Sequence, residues 1–244
     1  MSVPPLTFNA WLRHDLIWDM LGGLPRETTV LEIGAGEGAM GARLAGRFCY
    51  VGVEPDPYSF AKARARIEAP GLGRMVQGDP SVLDPDQAFD VVCAFEVLEH
   101  IEDDQGALRV WRERLSPGGR LLLSVPAYQK RFGPSDSRVG HFRRYDPEQL
   151  RSLLLSAGYT RPVIRMYGFP LGYALEWCRN AIARASAARG STADRTSASG
   201  RWLQPPEGPG ALTEILTAPM RFLQRPFAKG RLGTGLVVIA HRGA

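Results

Sequence analysis

The sequence has few cysteines, no long apolar runs and no internal repeats. Three cysteines occur in 244 residues, at the scattered positions Cys49, Cys93 and Cys178. Such a set provides neither a disulfide framework nor a metal knuckle, so free thiols in a reducing compartment are expected. No apolar stretch approaches the roughly 18 residues that a membrane span needs. The first residues show no secretory signal, and a cytoplasmic location is therefore expected.

Positive charge is concentrated in one part of the chain, although the formal net charge is only +5. Residues 161–231 contain 11 Lys and Arg against 4 Asp and Glu, whereas the rest of the chain contains 19 against 21. This distribution predicts a local basic patch and argues against nucleic-acid binding over the whole surface.

Apolar periodicity alternates between strand-like and helical stretches. Strands are predicted at 29–34, 49–56, 73–79, 88–95, 120–127, 161–169 and 235–242. Helices are predicted at 8–21, 38–48, 57–69, 103–115 and 146–158. Regular alternation with apolar strands predicts an α/β fold in which helices cover both faces of a parallel sheet.

A segment of different character precedes the last predicted strand. Amphipathic stretches at 171–188 and 211–224 flank 189–210, which is rich in Ser, Gly and Pro and is predicted to be a flexible loop. Because a strand follows, the segment is predicted to be an insertion that leaves the sheet and returns. The predicted parts are an N-terminal helical segment (1–27), a core (28–167 and 233–244) and a basic, partly flexible helical insertion (168–232).

The insertion has more than one possible role. It can form a lid or a dimer surface over the active site, or it can attach to an anionic membrane that carries a lipid-linked substrate. The sequence leaves the oligomeric state open.

A glycine-rich turn joins the first strand to the following helix. Gly34, Gly36 and Gly38 would let the backbone approach a ligand closely, with helix N–H groups pointing at it. Glu54 closes the second strand, where a carboxylate would bind ribose hydroxyls. The pattern fits either a nicotinamide dinucleotide or another nucleoside cofactor.

Five ordered segments distinguish these alternatives. They are VLEIGAGEG (30–38), VGVEPD (51–56), QGD (77–79), FDVVCAFEVLEHI (89–101) and LSPGGRLLLSVPA (115–127). In this order the chain resembles the class I S-adenosylmethionine-dependent methyltransferases over 28–166 and 235–242. The resemblance implies a Rossmann-like, seven-stranded, mostly parallel sheet with an antiparallel last strand, and S-adenosyl-L-methionine as methyl donor.

The resemblance also implies cofactor contacts, with the N-terminal helix of 1–27 covering the cofactor site. The methionine end would be held by Glu32 and by the backbone of Gly34, Ala35, Gly36 and Gly38. The other implied contacts are Glu54 on the ribose hydroxyls, Asp79 facing the adenine amino group and Phe95 beside the sulfonium. Independently, acids such as Glu32 and Glu54 in apolar strands are costly unless something pairs with them. Salt-bridged strand ends are the alternative.

The stretch FEVLEHI places two carboxylates and an imidazole after the fourth strand. As a helical turn it would bring Glu96, Glu99 and His100 to one face, a possible site for Mg²⁺, Mn²⁺ or Zn²⁺. Ubiquinone-pathway O-methyltransferases and small-RNA 2′-O-methyltransferases use a similar E-x-x-E-H. Alternatively the acids only build the cofactor pocket, because a first helical turn favours them.

A second group of candidate residues lies in GHFRRY (140–145), which resembles a run in a bacterial methyltransferase subgroup that also carries EVLEH. His141 is a candidate general base or further metal ligand, and Tyr145 is a second candidate catalytic group. Arg143 and Arg144 would bind a phosphate or carboxylate of the substrate. Alternatively the arginines pair with Asp136, Asp146 or Glu148 and order the loop.

These observations predict transfer of a methyl group from S-adenosyl-L-methionine, most simply to a hydroxyl of a small-molecule, glycan or lipid-linked acceptor. None of the residues is unique to O-, N- or C-methylation. A nicotinamide oxidoreductase would use the same glycine loop, but neither a catalytic Tyr–Lys pair nor a second substrate domain is evident. A catalytically silent methyltransferase-like binding protein is the other alternative.

Overall fold

The computed structural model describes residues 4–188 and 211–243, and seven strands form a single sheet within them. The strands are β1 (Thr29–Ile33), β2 (Cys49–Glu54), β3 (Gly73–Gln77), β4 (Phe89–Phe95), β5 (Leu115–Pro126), β6 (Tyr159–Tyr167) and β7 (Gly235–Arg242). The sheet has the order β3-β2-β1-β4-β5-β7-β6.

The direction of the strands confirms the predicted fold class. β7 runs antiparallel to both β5 and β6, while the other neighbouring pairs are parallel. The winding of the chain reverses between β1 and β4, which are neighbours in the sheet. In open α/β sheets a ligand crevice lies at such a point, outside the carboxyl ends of the strands. We call this side of the sheet the carboxyl edge.

Helices cover both faces of the sheet. They are α1 (Phe8–Leu21), α2 (Gly41–Ala45), α3 (Pro57–Ile67), α4 (Asp104–Glu113), α5 (Pro134–Val139), α6 (Pro147–Ser156), α7 (Leu171–Ala188) and α8 (Ala211–Gln224). Several helices begin at an N-cap residue, whose side-chain oxygen accepts a hydrogen bond from a free N–H of the first turn. Thr7 caps α1, Asp56 caps α3 and Asp103 caps α4 in this way.

Strand alternation divides the buried side chains into two cores. Val30 and Val91 belong to the core that contains Leu12 of α1, whereas their neighbours Leu31 and Val92 belong to the core on the opposite face. A parallel sheet buried on both faces requires such continuous apolar strands.

The segment between β6 and β7 contains α7 and α8, whose bounds match the predicted amphipathic stretches. The predicted flexible loop 189–210 lies outside the described residues. Trp11 of α1 donates to Thr213 at 3.3 Å, Arg221 pairs with Asp15, and Gln224 donates to the Leu12 carbonyl at 2.6 Å. α8 therefore packs against α1. Among the described residues, no helix combines the length and the apolarity needed to cross a membrane.

Several elements differ from the sequence expectation, and the helix predicted at 38–48 spans only Gly41–Ala45. β5 begins at Leu115, so the Pro-Gly-Gly of 117–119, which was expected to separate helix from strand, lies inside the strand. α5 was not predicted, although Pro134 at its first position and Gly140 at its end, with φ 80°, are ordinary helix signals.

Candidate active site

The glycine loop turns sharply at the carboxyl edge between β1 and β2. Gly34, Gly36 and Gly38 have φ of 68°, 56° and 78°, a region that L side chains rarely adopt. The N–H groups of Gly34 and Ala35 both donate to the Val53 carbonyl, at 3.0 and 3.1 Å. A Cβ at Gly36 would meet no atom within 4 Å. The backbone at Gly36 therefore borders open space, as close approach of a ligand requires.

Glu54, at the end of β2, connects to this loop. Its Oε2 accepts from Gly36 N at 2.7 Å and its Oε1 accepts from Asp56 N at 2.9 Å. Burial raises the pKa of the Glu54 carboxyl, and these backbone hydrogen bonds oppose the increase. The predicted ribose-binding carboxylate thus lies beside the glycine loop in a fixed orientation.

Glu32 is buried inside β1 and has a single neutral hydrogen-bond donor nearby. Tyr50 donates its hydroxyl proton to Glu32 Oε2 at 2.6 Å. Burial raises the pKa of Glu32 to about 7, although the Tyr50 hydrogen bond and the charge of Arg13 oppose this. A carboxyl that titrates near neutrality can be fully ionised by a bound cationic group.

Arg13 is a site residue that the sequence analysis missed. Its guanidinium extends from α1 to the carboxyl edge, where Nη1 lies 3.8 Å from Glu96 Oε1 and Nε is buried with no hydrogen-bond partner among the described residues. The available signal was a lone cation between the apolar positions Leu12 and Leu16 of an otherwise buried helix face. A buried cation with an unused donor is suited to an anionic ligand group.

Glu96 follows β4 in a left-handed conformation with φ 59°. Its Oε1 accepts hydrogen bonds from Ser124 at 2.9 Å and from Tyr167 at 3.0 Å. Such a conformation costs a non-glycine residue about 1–3 kcal/mol and is concentrated at functional sites.

The expectation that Glu96, Glu99 and His100 share one face of a helical turn is wrong. Only Leu98–His100 forms a turn, of the tighter 3-10 type, and Glu96 precedes it with positive φ. Glu96 instead accepts hydrogen bonds from Ser124 and Tyr167.

His141 takes the place expected for Glu96. The candidate ligand atoms of Glu99, His100 and His141 all lie within 4.8 Å of one another, and we call this group the imidazole–carboxylate cluster. The two rings meet edge to face at 4.6 Å, and His141 Nε2 lies 3.8 Å from Glu99 Oε1. Glu99 is fully buried, yet neither of its oxygens has a hydrogen-bond partner among the described residues.

Burial shifts the pKa values of two members of this cluster, Glu99 and His100. It raises the pKa of Glu99 well above its usual range, and the nearby charge of Glu96 adds to the increase. Burial also lowers the pKa of His100 to about 4, and the neighbouring His141 lowers it further. His100 is therefore neutral near pH 7 and offers a lone pair.

α5 positions His141 through Asp136, another residue to which the sequence analysis gave no site role. Asp136 Oδ1 lies 2.8 Å from His141 Nδ1 and accepts from Arg144 Nε at 2.9 Å, while Oδ2 accepts from Arg144 Nη2 at 2.8 Å. Burial alone would raise the pKa of Asp136, but the hydrogen bonds from His141 and Arg144 lower it to about 2. Asp136 is thus an ionised acceptor, so His141 Nδ1 carries the proton of this contact and Nε2 is the ring nitrogen that faces Glu99.

The arginines and the tyrosine of GHFRRY are held by the protein. Arg144 is buried between Asp136 and Glu176, and Arg143 pairs with Asp104 at 2.7 Å. Tyr145 is fully buried and donates to Asp104 at 3.0 Å. For Arg144 these contacts match the alternative of loop ordering by Asp136. Arg143 and Tyr145 instead pair with Asp104, which the sequence analysis did not consider. The substrate-binding and catalytic roles of these residues stay predictions.

Two further predicted cofactor residues lie at strand ends on the carboxyl edge. Phe95 is the buried last residue of β4 and pairs in register with Ser124 of β5. Asp79 follows β3, is exposed, and accepts from Ser81 N at 2.8 Å, which fixes its side chain.

The chain is similar in sequence to known methyltransferases. Residues 31–121 match a family model described as a methyltransferase domain. A Mycobacterium tuberculosis protein named "Probable S-adenosylmethionine-dependent methyltransferase" is 30% identical over 164 residues, which span 65% of this chain and 59% of the relative. The ubiquinone biosynthesis O-methyltransferase of Paramagnetospirillum magneticum is 37% identical over 96 residues, or 38% of this chain and 39% of that protein.

A solved structure shows the same fold. The phosphoethanolamine N-methyltransferase 2 of Haemonchus contortus, in complex with S-adenosyl-L-methionine, superposes with a TM-score of 0.62 at 16% identity. The superposition covers 96% of this chain and 53% of that protein.

Proposed function

Because this chain belongs to the class I S-adenosylmethionine-dependent methyltransferases, we propose that it transfers the methyl group of S-adenosyl-L-methionine to a hydroxyl of a small-molecule, glycan or lipid-linked acceptor. The observation that carries the choice of a hydroxyl is the imidazole–carboxylate cluster, in which Glu99 and His100 follow β4, the neighbour of β1 in the sheet. Oxygen nucleophiles need a group that removes or shares a proton. The likeness to a ubiquinone biosynthesis O-methyltransferase supports the same choice.

Cofactor binding in this proposal uses the carboxyl edge of β1 and β2. Glu32 binds the ammonium group and Arg13 the carboxylate of the methionine end, which joins each buried charge to its opposite. The open space beside Gly36 admits the cofactor backbone, and Glu54 binds the ribose hydroxyls. Asp79 and Phe95 contact the adenine amino group and the sulfonium region.

Methyl transfer is a displacement that requires little acid–base chemistry beyond one proton. The acceptor oxygen attacks the methyl carbon in line with the carbon–sulfur bond, the C–S bond breaks as the O–C bond forms, and S-adenosyl-L-homocysteine leaves. His141 Nε2 takes the hydroxyl proton, while the Asp136 contact with Nδ1 stabilises the resulting imidazolium. Arg144 in turn fixes Asp136 by donating to both of its carboxylate oxygens.

The same cluster could instead hold a metal ion, which the unpartnered oxygens of Glu99 favour. Two imidazoles and a carboxylate suit a divalent cation, Zn²⁺ or Mn²⁺ more than Mg²⁺, and Asp136 would then be the carboxylate that orients a metal-binding histidine. When bound, such a cation would supply a positive charge that lowers the pKa of the acceptor hydroxyl. Glu99, His100 and His141 would hold it.

The proposal is tested by incubating the protein with isotopically methyl-labelled S-adenosyl-L-methionine and a metabolite and lipid extract. We expect a labelled product whose mass and fragmentation place the methyl group on oxygen. Calorimetry should show binding of S-adenosyl-L-homocysteine and none of NAD. Binding of NAD alone would contradict the proposal, whereas cofactor binding without any labelled product would favour a silent binding protein. Loss of turnover in EDTA, restored by Zn²⁺ or Mn²⁺, would distinguish the metal arrangement.

Cofactor affinity should depend on pH through Glu32. Its pKa of about 7 means that the carboxyl is protonated below neutral pH and must ionise to pair with the cofactor ammonium group. We therefore expect affinity for S-adenosyl-L-homocysteine to rise as the pH increases through neutrality, and Glu32→Gln to bind more weakly without this increase. Calorimetry across the pH range measures both, and a parallel pH dependence in the variant would contradict the assignment.

A further inference from the structure

α8 presents its apolar side to solvent, which reverses the usual orientation of a surface helix. Its polar residues Thr217 and Gln224 are buried, and Gln224 bonds to the Leu12 carbonyl and to the Gly168 amide. The outward side carries Ile215, 67% exposed, and Phe222, 73% exposed, together with exposed Leu216 and Leu223. Burying polar groups while exposing large apolar ones is costly unless the apolar side meets a partner.

α7 also buries polar residues, although its Leu171 and Leu175 pack against the core. Glu176 is buried and paired with Arg131 and Arg144, while Asn180 Oδ1 accepts from Ser135 N at 3.1 Å. Trp177, the next residue after Glu176, is 71% exposed, and Ile182 is also exposed. Both inserted helices therefore bury polar side chains that bind them to the core, and both expose large apolar side chains to solvent.

The inserted segment is also rich in cations. The described parts of 161–231 contain eight Lys and Arg against two Asp and Glu, and one of those acids, Glu176, is buried. The exposed cations of the two helices and the segment after α8 are Arg184, Arg225, Lys229 and Arg231. A surface of this composition matches a negatively charged partner with an apolar interior.

We propose that the outward sides of α7 and α8 dock on an anionic lipid membrane. Trp and Phe side chains enter the boundary between head groups and acyl chains, Ile and Leu follow, and the flanking Lys and Arg contact the lipid head groups. A second copy of this chain is a poorer occupant, because a symmetric interface brings the same cations close to their counterparts. The inference does not rest on methyl transfer, because docking needs neither cofactor nor acceptor.

Vesicle binding by the full chain tests the proposal, without cofactor. We expect co-sedimentation with phosphatidylglycerol–phosphatidylcholine vesicles that weakens as salt increases, and little binding to phosphatidylcholine alone. The double variant Ile215→Ser/Phe222→Ser, and separately Trp177→Ser, should lower the partition coefficient by about tenfold or more. Arg225→Ala/Lys229→Ala should remove most of the preference for the anionic lipid.

Matched controls separate docking from general surface effects. Leu155→Ser replaces an exposed leucine of α6, and Arg74→Ala/Arg109→Ala removes two exposed cations elsewhere. Both should leave vesicle binding unchanged. Equal losses in the control and docking variants, or no preference for anionic vesicles, would overturn the proposal. So would a dimer in sedimentation velocity that Phe222→Ser dissociates, because the apolar side would then join two copies.

Discussion

His141→Ala is expected to lower kcat by about 100- to 10,000-fold, the usual contribution of a positioned general base, while affinity for S-adenosyl-L-homocysteine stays close to wild type. The reason is that His141 Nε2 faces Glu99 and His100, whereas the predicted cofactor contacts lie on the glycine loop and Glu54. Steady-state kinetics with the acceptor identified by label transfer, together with calorimetry on the cofactor product, measure the two effects separately.

Two further variants define the role of the histidine. Asp136→Asn keeps the shape of the residue but removes the charge that fixes the Nδ1 proton, so a smaller loss, about 10- to 100-fold, is expected from this positioning residue. His241→Ala alters a histidine of β7 and should leave kcat unchanged. If His141→Ala bound the cofactor normally and retained kcat within about threefold of wild type, acceptor activation at this cluster would be refuted.

The glycine turn and its contact with Glu54 could be predicted from sequence because their determinants are local. A parallel strand, a glycine turn and an acid at the end of the next strand meet at one edge whatever the remaining chain does. Gly36 and Glu54 lie 18 positions apart, yet the pairing of β1 with β2 brings them into hydrogen bonding. Strand periodicity was therefore sufficient to predict that Gly36 and Glu54 lie close together.

The contacts of the GHFRRY residues could not be predicted in the same way, because they depend on tertiary pairing. From sequence, Arg144 could bind an anionic substrate group. In the structure it donates to Glu176 at 3.1 Å, a residue 32 positions later in the inserted helix. Arg13, which the proposal assigns to the cofactor, was missed for the same reason, since the packing of α1 against β6 and β7 has no sequence signature. The conformation of Glu96 could not be predicted even from local sequence, because no propensity rule anticipates positive φ at a glutamate.

The inserted helices have the predicted bounds, but which side of each faces the core was not predicted. Their spacing predicted amphipathic helices, and the natural expectation is that the apolar side faces the core. In α7 the buried acid Glu176 reverses that expectation, because an ion pair with Arg144 and Arg131 holds the polar side inward. The same contacts link α7 to Asp136 and hence to His141, so the helix proposed to meet the membrane also supports the proposed base.

Gly36→Ala is expected to weaken binding of S-adenosyl-L-homocysteine by about 10- to 100-fold, equivalent to about 1.4–2.8 kcal/mol. The added methyl group would enter the open space beside the glycine loop, where the proposal puts the cofactor, at a residue whose φ is 56°. The chain itself offers no atom within 4 Å of that methyl group. Calorimetry measures the affinity, and denaturant titration measures the free energy of unfolding.

Gly118→Ala is the matched control for this prediction. Gly118 also has positive φ, 78°, and a Cβ there would likewise meet nothing within 4 Å, but it lies near the start of β5, away from the carboxyl edge. Both substitutions should lower the free energy of unfolding by a similar amount, about 1–2 kcal/mol for alanine in the left-handed region. Only Gly36→Ala should lose affinity, because only there does the new atom compete with the ligand. Equal affinity in the two variants would mean that the cofactor does not lie against this turn, and the cofactor contacts assigned to Glu32 and Glu54 would then be incorrect as well.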